Sequence, residues 1–144
     1  MNQEIIKKAN EIIAEAATDT GRHQTGICTL ALIDDKGFPT ASTISLARAD
    51  GIKWLSFVAG LASNKAKRIQ NSSKASVCIN SANYNITLVG TIEILTDLQT
   101  KKDTWYAGCE YHFSGADDPN YCVLKFTPSR YNLFIGGEEV EGEI

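Results

Sequence analysis

Between residues 3 and 17 the apolar side chains Ile5, Ile6, Ala9, Ile12, Ile13 and Ala16 recur every three or four positions, with Lys7, Lys8, Glu11 and Glu15 between them. That period predicts an amphipathic helix. Residues 18–24 are polar and contain Gly21, which predicts a loop. The period then shortens. Ile27–Ile33 is a continuous apolar run, the mark of a buried strand, and Asp34-Asp35-Lys36-Gly37 reads as a turn. Pro39 opens a strand over 40–47, where Ile44 and Leu46 alternate with Thr43 and Ser45, giving one apolar and one polar face. Ala49-Asp50-Gly51 predicts a tight turn and 53–58 a third strand.

After Gly60 the pattern restarts as a short basic helix over Asn64–Asn71, with Ser63 as its N-cap. Residues 75–80 predict a fourth strand, 80–85 an Asn-rich turn, and 86–95 a long alternating strand with Ile86, Leu88, Ile92 and Ile94 on one face. Gly90 in its middle predicts a bulge or bend. Thr96 and Gln99 have capping-box spacing, which predicts a helix over 97–108 with Leu98, Lys102 and Trp105 on one side. Residues 110–120 read as an irregular loop, 121–127 as a strand interrupted at Pro128, 130–135 as another, and 136–144 as an acidic, frayed tail. Strands arriving mostly as hairpins, with no strand–helix alternation, predict one mainly β domain over 1–144. A closed or split antiparallel barrel with flanking helices fits better than a flat sheet.

Composition narrows the function. The 144 residues are 43% hydrophobic and 22% charged, as in a soluble globular domain. A net charge of −3 argues against a nucleic-acid binder, which needs a basic footprint, and no run approaches the length of a membrane span. The first residues lack the apolar block of a signal peptide, so a cytoplasmic protein is expected. Cys28, Cys78, Cys109 and Cys122 are widely spaced; Cys28, Cys78 and Cys122 fall in strand-like runs and read as small hydrophobes with reduced thiols. Cys109 and His112 have C-x-x-H spacing, but a zinc site needs two more ligands and His23 is the only other histidine, so no metal is expected.

The stretch from Phe57 to Ile69 carries the candidate chemistry. Free N–H groups and the dipole at a helix start attract an anion, and Lys65 in the first turn opposes that dipole unless an anion lies beside it. Ser63, the neighbouring N–H groups and Lys65, with Arg68 one turn on, would make a phosphate seat. A capped surface helix with solvated cations satisfies the same residues, and there is no Gly-rich phosphate motif.

The order of elements from Gly26 to Ile135 resembles the pyridoxamine 5'-phosphate oxidase-like family of FMN-binding split barrels, in particular its general-stress-protein branch. The resemblance is carried by Gly37-Phe38-Pro39, Asp50-Gly51 before the Trp54 strand, Ser63-Asn64-Lys65, Lys74-Ala75-Ser76-Val77, Val89-Gly90-Thr91, Asp118-Pro119-Asn120-Tyr121 and Lys125-Phe126-Thr127-Pro128. It implies a homodimer with FMN at the subunit interface. Ser63, Asn64 and Lys65 would hold the phosphate. Ser42, Thr43 and Ile44 would run along the isoalloxazine ring, and Phe57, Val58 and Ala59 would line the ring and ribityl chain. Trp105 and the Asn83-Tyr84-Asn85 turn of the partner are candidates to cover the flavin.

The sequence departs from the family where a Thr hydroxyl often meets the phosphate, here Ala59, and where the oxidases proper carry an Arg, here near Ser42. Each lost hydrogen bond is worth about 0.5–3 kcal/mol, so FMN binding would weaken by orders of magnitude if both counted. The C-terminal Arg- and Trp-bearing segment of the vitamin B6 oxidases is also missing, so B6 oxidation is not expected. Two readings follow: an FMN-dependent oxidoreductase of an unidentified small molecule, and a non-enzymatic or stress-related binding module with weak or lost flavin binding. Trp54 reads as core or interface. Tyr111, His112 and Phe113 read as a pocket wall or as loop packing. No side chain stands out as catalytic.

Overall fold

A computed structural model describes residues 2–18 and 26–144. The loop expected after the first helix, and His23 within it, lie outside the described residues. Helix α1 (Asn2–Thr18) buries Ile5, Ala9, Ile13 and Ala16, one stripe of its predicted amphipathic pattern, and packs against the sheet. Asn10 fixes its position, its Oδ1 accepting the Ile52 N–H at 2.9 Å.

The strands are β1 (Ile27–Ile33), β2 (Pro39–Ser45), β3 (Arg48–Ala49), β4 (Leu55–Gly60), β5 (Lys74–Ser81), β6 (Tyr84–Leu95), β7 (Tyr121–Ile135) and β8 (Glu138–Glu143). They pair antiparallel in the order β2-β1-β5-β6-β7-β4-β3, with β8 added to β7. Alternate residues point inward, and Leu30, Leu32, Phe57, Val77, Ile86, Leu88, Leu124, Phe126 and Leu133 fill the interior. The result is a mainly β, antiparallel split barrel with flanking helices. Helix α2 (Asn64–Asn71) follows β4, and α3 (Leu98–Thr104) follows β6.

The bulge expected at Gly90 is present: the β6–β7 register shifts between Val89 and Gly90, and Gly90 faces Pro128. A Cβ there would collide with the Thr127 carbonyl and Pro128. The bulge also corrects one expectation. Pro128 does not split its strand, because the bulge absorbs the missing ladder bond and β7 runs unbroken for 15 residues.

Three further expectations fail. The acidic tail is not frayed: Gly136 (φ 62°) and Gly137 (φ 81°) turn the chain back, so β8 pairs with β7 from Arg130 to Ile135. A two-residue hairpin turn with φ > 0 at both positions is what a Gly-Gly pair permits. The cap of α3 is Asp97, not Thr96; its carboxylate accepts the Thr100 N–H at 3.0 Å and the Thr100 hydroxyl at 2.8 Å. With that cap, α3 ends at Thr104 and buries Lys101 and Thr104, while Leu98 and Lys102 are exposed. The strand expected over 40–47 ends at Ser45. Leu46 turns inward to the Gly26 carbonyl, and Arg48–Ala49 pairs instead with β4.

Candidate functional site

The barrel is split between β2 and β4. The Ala47 N–H donates to the Ser56 carbonyl at 2.9 Å, and beyond that bond no ladder joins the two strands among the described residues. β2 pairs only with β1, and β4 pairs with β7 along its length but with β3 only at Leu55 and Ser56. Ser42, Thr43 and Ile44 therefore lie on one unpaired edge, and Phe57, Val58 and Ala59 on the facing one.

At the end of the β4 edge the chain turns into α2. The Ser63 N–H closes a turn on the Gly60 carbonyl at 3.0 Å, and the Ser63 hydroxyl accepts the Ala66 N–H at 3.2 Å. Asn120 holds the turn from outside: its carbonyl accepts the Leu61 N–H at 2.7 Å and its Oδ1 accepts the Ala62 N–H at 3.1 Å. Every N–H from Leu61 to Ser63 is thus satisfied, as is that of Ala66. Those of Asn64 and Lys65 have no partner among the described residues. Two unclaimed donors, a serine hydroxyl with its proton free to donate, and the Lys65 cation make a site whose chemistry suits an anion.

The predicted residues do not all serve alike. Ser63, Lys65 and the backbone of Asn64 come together at the α2 start. Phe57 is fully buried in the core, so it offers only its backbone. Ala59 has no hydroxyl, and its carbonyl accepts the Cys122 thiol at 3.3 Å. The Phe38 and Lys36 N–H bonds that the Asp34 carboxylate accepts hold its pKa below the usual carboxylate range, and Arg68 lies close enough to add a smaller lowering. It belongs to the β1–β2 turn rather than to the seat, and with Asn64 and Lys67 it lines a surface hollow beside that turn.

Trp105 meets Tyr121 edge to face at 5.4 Å between ring centroids. Tyr121 is the strand partner of Gly60, so Trp105 stands at the α2 end of β4 through its own chain. Its neighbour Tyr106 is half-buried, and burial raises its phenol pKa. The turn expected over 83–85 is a two-residue hairpin at Ala82-Asn83, and Tyr84 and Asn85 already pair with β5 as the start of β6. His112 is exposed, its ring meeting Phe113. Burial pushes the Cys28 thiol up to about 12 and Cys122 up to about 11. Cys78 differs from them: it is half-buried on the outer face and donates to Asn85 Oδ1 at 3.3 Å.

Sequence reasoning missed Asn120 and Lys101. Lys101 is 6% exposed; its Nζ donates to the Asp118 carbonyl at 3.0 Å, and its own carbonyl accepts the Tyr121 hydroxyl at 2.7 Å. Asn120 stood inside the Asp118-Pro119-Asn120-Tyr121 motif, but nothing local to that motif names Leu61 and Ala62 as its partners.

The family model described as pyridoxamine 5'-phosphate oxidase matches residues 14–134, most of the chain. The chain belongs to this family. Among curated proteins no sequence matches it. Among solved structures, a Clostridium acetobutylicum protein related to general stress protein 26, of the pyridoxinephosphate oxidase family, is 24% identical. It superposes with a TM-score of 0.82 over 100% of this chain and 97% of its own. General stress protein 26 from Bacillus anthracis is 18% identical, with a TM-score of 0.73 over 92% and 98% of the two chains. A pyridoxamine 5'-phosphate oxidase-related, FMN-binding protein from Nostoc punctiforme is 17% identical, with a TM-score of 0.61 over 92% and 94%. At these identities the likeness establishes the fold. No helix among the described residues is long and apolar enough to cross a membrane.

Proposed function

We propose that this chain is a dimeric FMN flavoprotein, an oxidoreductase of a small molecule other than a B6 vitamer. The observation that carries the reading is the pair of unclaimed N–H groups at Asn64 and Lys65, beside the Ser63 hydroxyl, at one end of a split barrel of this family. The residues fit the cofactor's two polar regions. The α2 start would take the phosphate, and the unpaired edges of β2 and β4 would meet the polar rim of the ring. FMN when bound supplies the hydride chemistry, and the protein supplies position and electrostatics. The chain's own part is to bind and orient: Lys65 and the two N–H groups neutralise the phosphate, and Ser42–Ile44 offer backbone donors and acceptors. The split is open on one side in the single chain, so a second copy covering it would exclude water from the ring; Trp105, at the α2 end, is one candidate surface for that cover.

The first test is the absorbance of freshly purified protein, or of apoprotein given FMN, near 450 nm (an approximate value for the cofactor). A colourless dimer that takes up no FMN removes the reading. Lys65→Ala should weaken FMN about tenfold or more, since a charge-assisted hydrogen bond is worth about 1.5–3 kcal/mol, while riboflavin, which lacks the phosphate, is little affected. Equal losses for both would put the phosphate elsewhere.

Ala59 favours a second reading, a binding module without tight flavin binding, because its side chain gives the phosphate nothing. Melting temperature against FMN, FAD, haem and pyridoxal phosphate separates the two, since a ligand specific for the folded state raises it. A shift with FMN alone excludes the module.

A further inference from the structure

The register of three neighbouring strands gathers two cations on the outer face of β4, far from the α2 seat. Ser56 is the strand partner of Arg48 on one side and of Lys125 on the other. Trp54, two residues earlier, shares that face. Both cations lean onto its indole: the Arg48 guanidinium carbon lies 5.8 Å from the ring centroid and the Lys125 Nζ 5.2 Å.

Two like charges drawn to one ring call for a counter-charge, and the described residues supply none at bonding distance. Neither cation has an ion-pair partner among the described residues, in a protein whose acidic side chains outnumber its basic ones 17 to 14. The nearby Asp103 carboxylate is engaged by the Gln99 amide at 2.8 Å. Glu93, opposite Lys125 across β6 and β7, is exposed. The Ser56 and Thr104 hydroxyls are buried and donate to the backbone, to the Arg48 and Thr100 carbonyls respectively.

Arg48, Trp54, Lys125, Asp103 and the two hydroxyls border a cavity of about 160 Å³ between β4, β7 and α3, with Leu95 and Val123 in its wall. At about 30 Å³ per water, that is room for roughly five waters, or for an anionic head on a short apolar stem. It is also a separate place from the phosphate seat: Trp54 immediately precedes β4 and Gly60 ends it, a separation of about 20 Å at strand rise.

We propose that the Arg48–Trp54–Lys125 cluster is a binding site for a small organic oxyanion, a carboxylate or phosphate carried on a compact apolar group. Arg48 and Lys125 hold the charge, and the Trp54 ring with Leu95 and Val123 receives the apolar part. The site does not depend on flavin binding. Its position two residues along the same face from Val58 would bring such an anion near the β4 edge of the split.

Titration of the full chain with benzoate and, separately, with inorganic phosphate tests this. The readout is tryptophan fluorescence in a Trp105→Phe background, which leaves Trp54 as the only indole, with calorimetry on the unsubstituted chain as the parallel measurement. At least one probe should saturate. Arg48→Gln and Lys125→Gln should each weaken it about tenfold, Lys125→Arg should restore most of the loss, and Lys65→Ala should leave it unchanged. Preference for benzoate assigns a carboxylate ligand, preference for phosphate a phosphorylated one. No saturation with either probe, or binding indifferent to Arg48 and Lys125, overturns the proposal, as does binding lost in Lys65→Ala, which would move the anion to the α2 seat. A chain that binds benzoate but never FMN would overturn the flavoprotein reading and leave this one standing.

Discussion

Helices α2 and α3 make a controlled pair within one molecule. Each is short, each opens on a side-chain cap, and each carries lysines. They part at what the lysine meets. Lys101 of α3 is buried, its Nζ bonded to the Asp118 carbonyl and 5.5 Å from the Tyr121 ring centroid, so its charge is used up inside the protein. Lys65 of α2 is half-buried beside two unclaimed N–H groups and has no such partner among the described residues. A cation with a full set of partners is a strut, and one left beside free donors is a receiver. The same residue type in the same kind of helix thus serves packing in one place and, under the proposed function, ligand binding in the other.

The comparison breaks most clearly at Lys101. Lys101→Ala removes a charge-assisted hydrogen bond to the Asp118 carbonyl and the packing of the buried lysine stem, so urea unfolding should show a loss of about 2–3 kcal/mol. The ratio of FMN to riboflavin affinity should stay constant, because no part of the phosphate seat is removed. Lys65→Ala should do the reverse, moving that ratio with little change in stability. A shift in the ratio for Lys101→Ala would mean that the two lysines do not divide the work.

Asn120 joins the two regions and gives the next largest effect. It follows Asp118 in the loop that Lys101 pins, and it also holds the turn ahead of α2. Asn120→Ala leaves the Ala62 N–H without its acceptor, which costs about 1 kcal/mol of stability, and FMN affinity should fall severalfold more than riboflavin affinity. Asn120→Asp keeps the acceptor but sets a negative charge beside the seat. It should be closer to wild type in melting temperature and worse than Asn120→Ala toward FMN. Calorimetry with both ligands reads each outcome.

What the sequence disclosed follows the same division. The α2 boundaries, its Ser63 cap, the β1 strand and the Gly90 bulge were all legible, because each depends on residues within a few positions of one another. The length and face of α3 were not. A Thr-x-x-Gln spacing and an Asp cap one residue later compete for the same helix start, and only the packing of Lys101 and Thr104 on β7 decides between them. The tail misled for another reason: its glutamates suggest disorder, while the pairing signal lay in two glycines just before them. At the candidate site, the capped helix start that brings Ser63 and Lys65 together was readable. The split, the hand of Asn120 on the turn and the burial of Phe57 were not, since all three are set by strand order and register across the barrel.

The smallest expected effect comes from the two caps and from pH. Ser63→Ala should cost about 1 kcal/mol and also shift the FMN-to-riboflavin ratio; Asp97→Ala should lower the melting temperature and leave that ratio alone. Serine does not titrate between pH 3 and 7, whereas the α3 side rests on carboxylates. Asp118 accepts the Ser114 N–H at 3.0 Å and the Asn120 N–H at 2.9 Å, and these bonds hold its carboxyl below the usual range; Asp97 is lowered in the same way by the Thr100 N–H and hydroxyl. A carboxylate whose folded pKa is depressed stabilises the fold above its unfolded value, about 3.9, and loses that contribution as pH falls through the lower folded value. Amide protection factors, which remove the intrinsic slowing of exchange toward acid, should therefore fall first in α3 and the 113–120 loop from about pH 6 to about 3, while α2 keeps its protection relative to the barrel strands. Asp118→Asn should flatten the response of the loop without changing that of α2. If α2 and α3 opened together, the two helices would form one cooperative unit, and Lys65 could not be treated as independent of the strut that Lys101 makes.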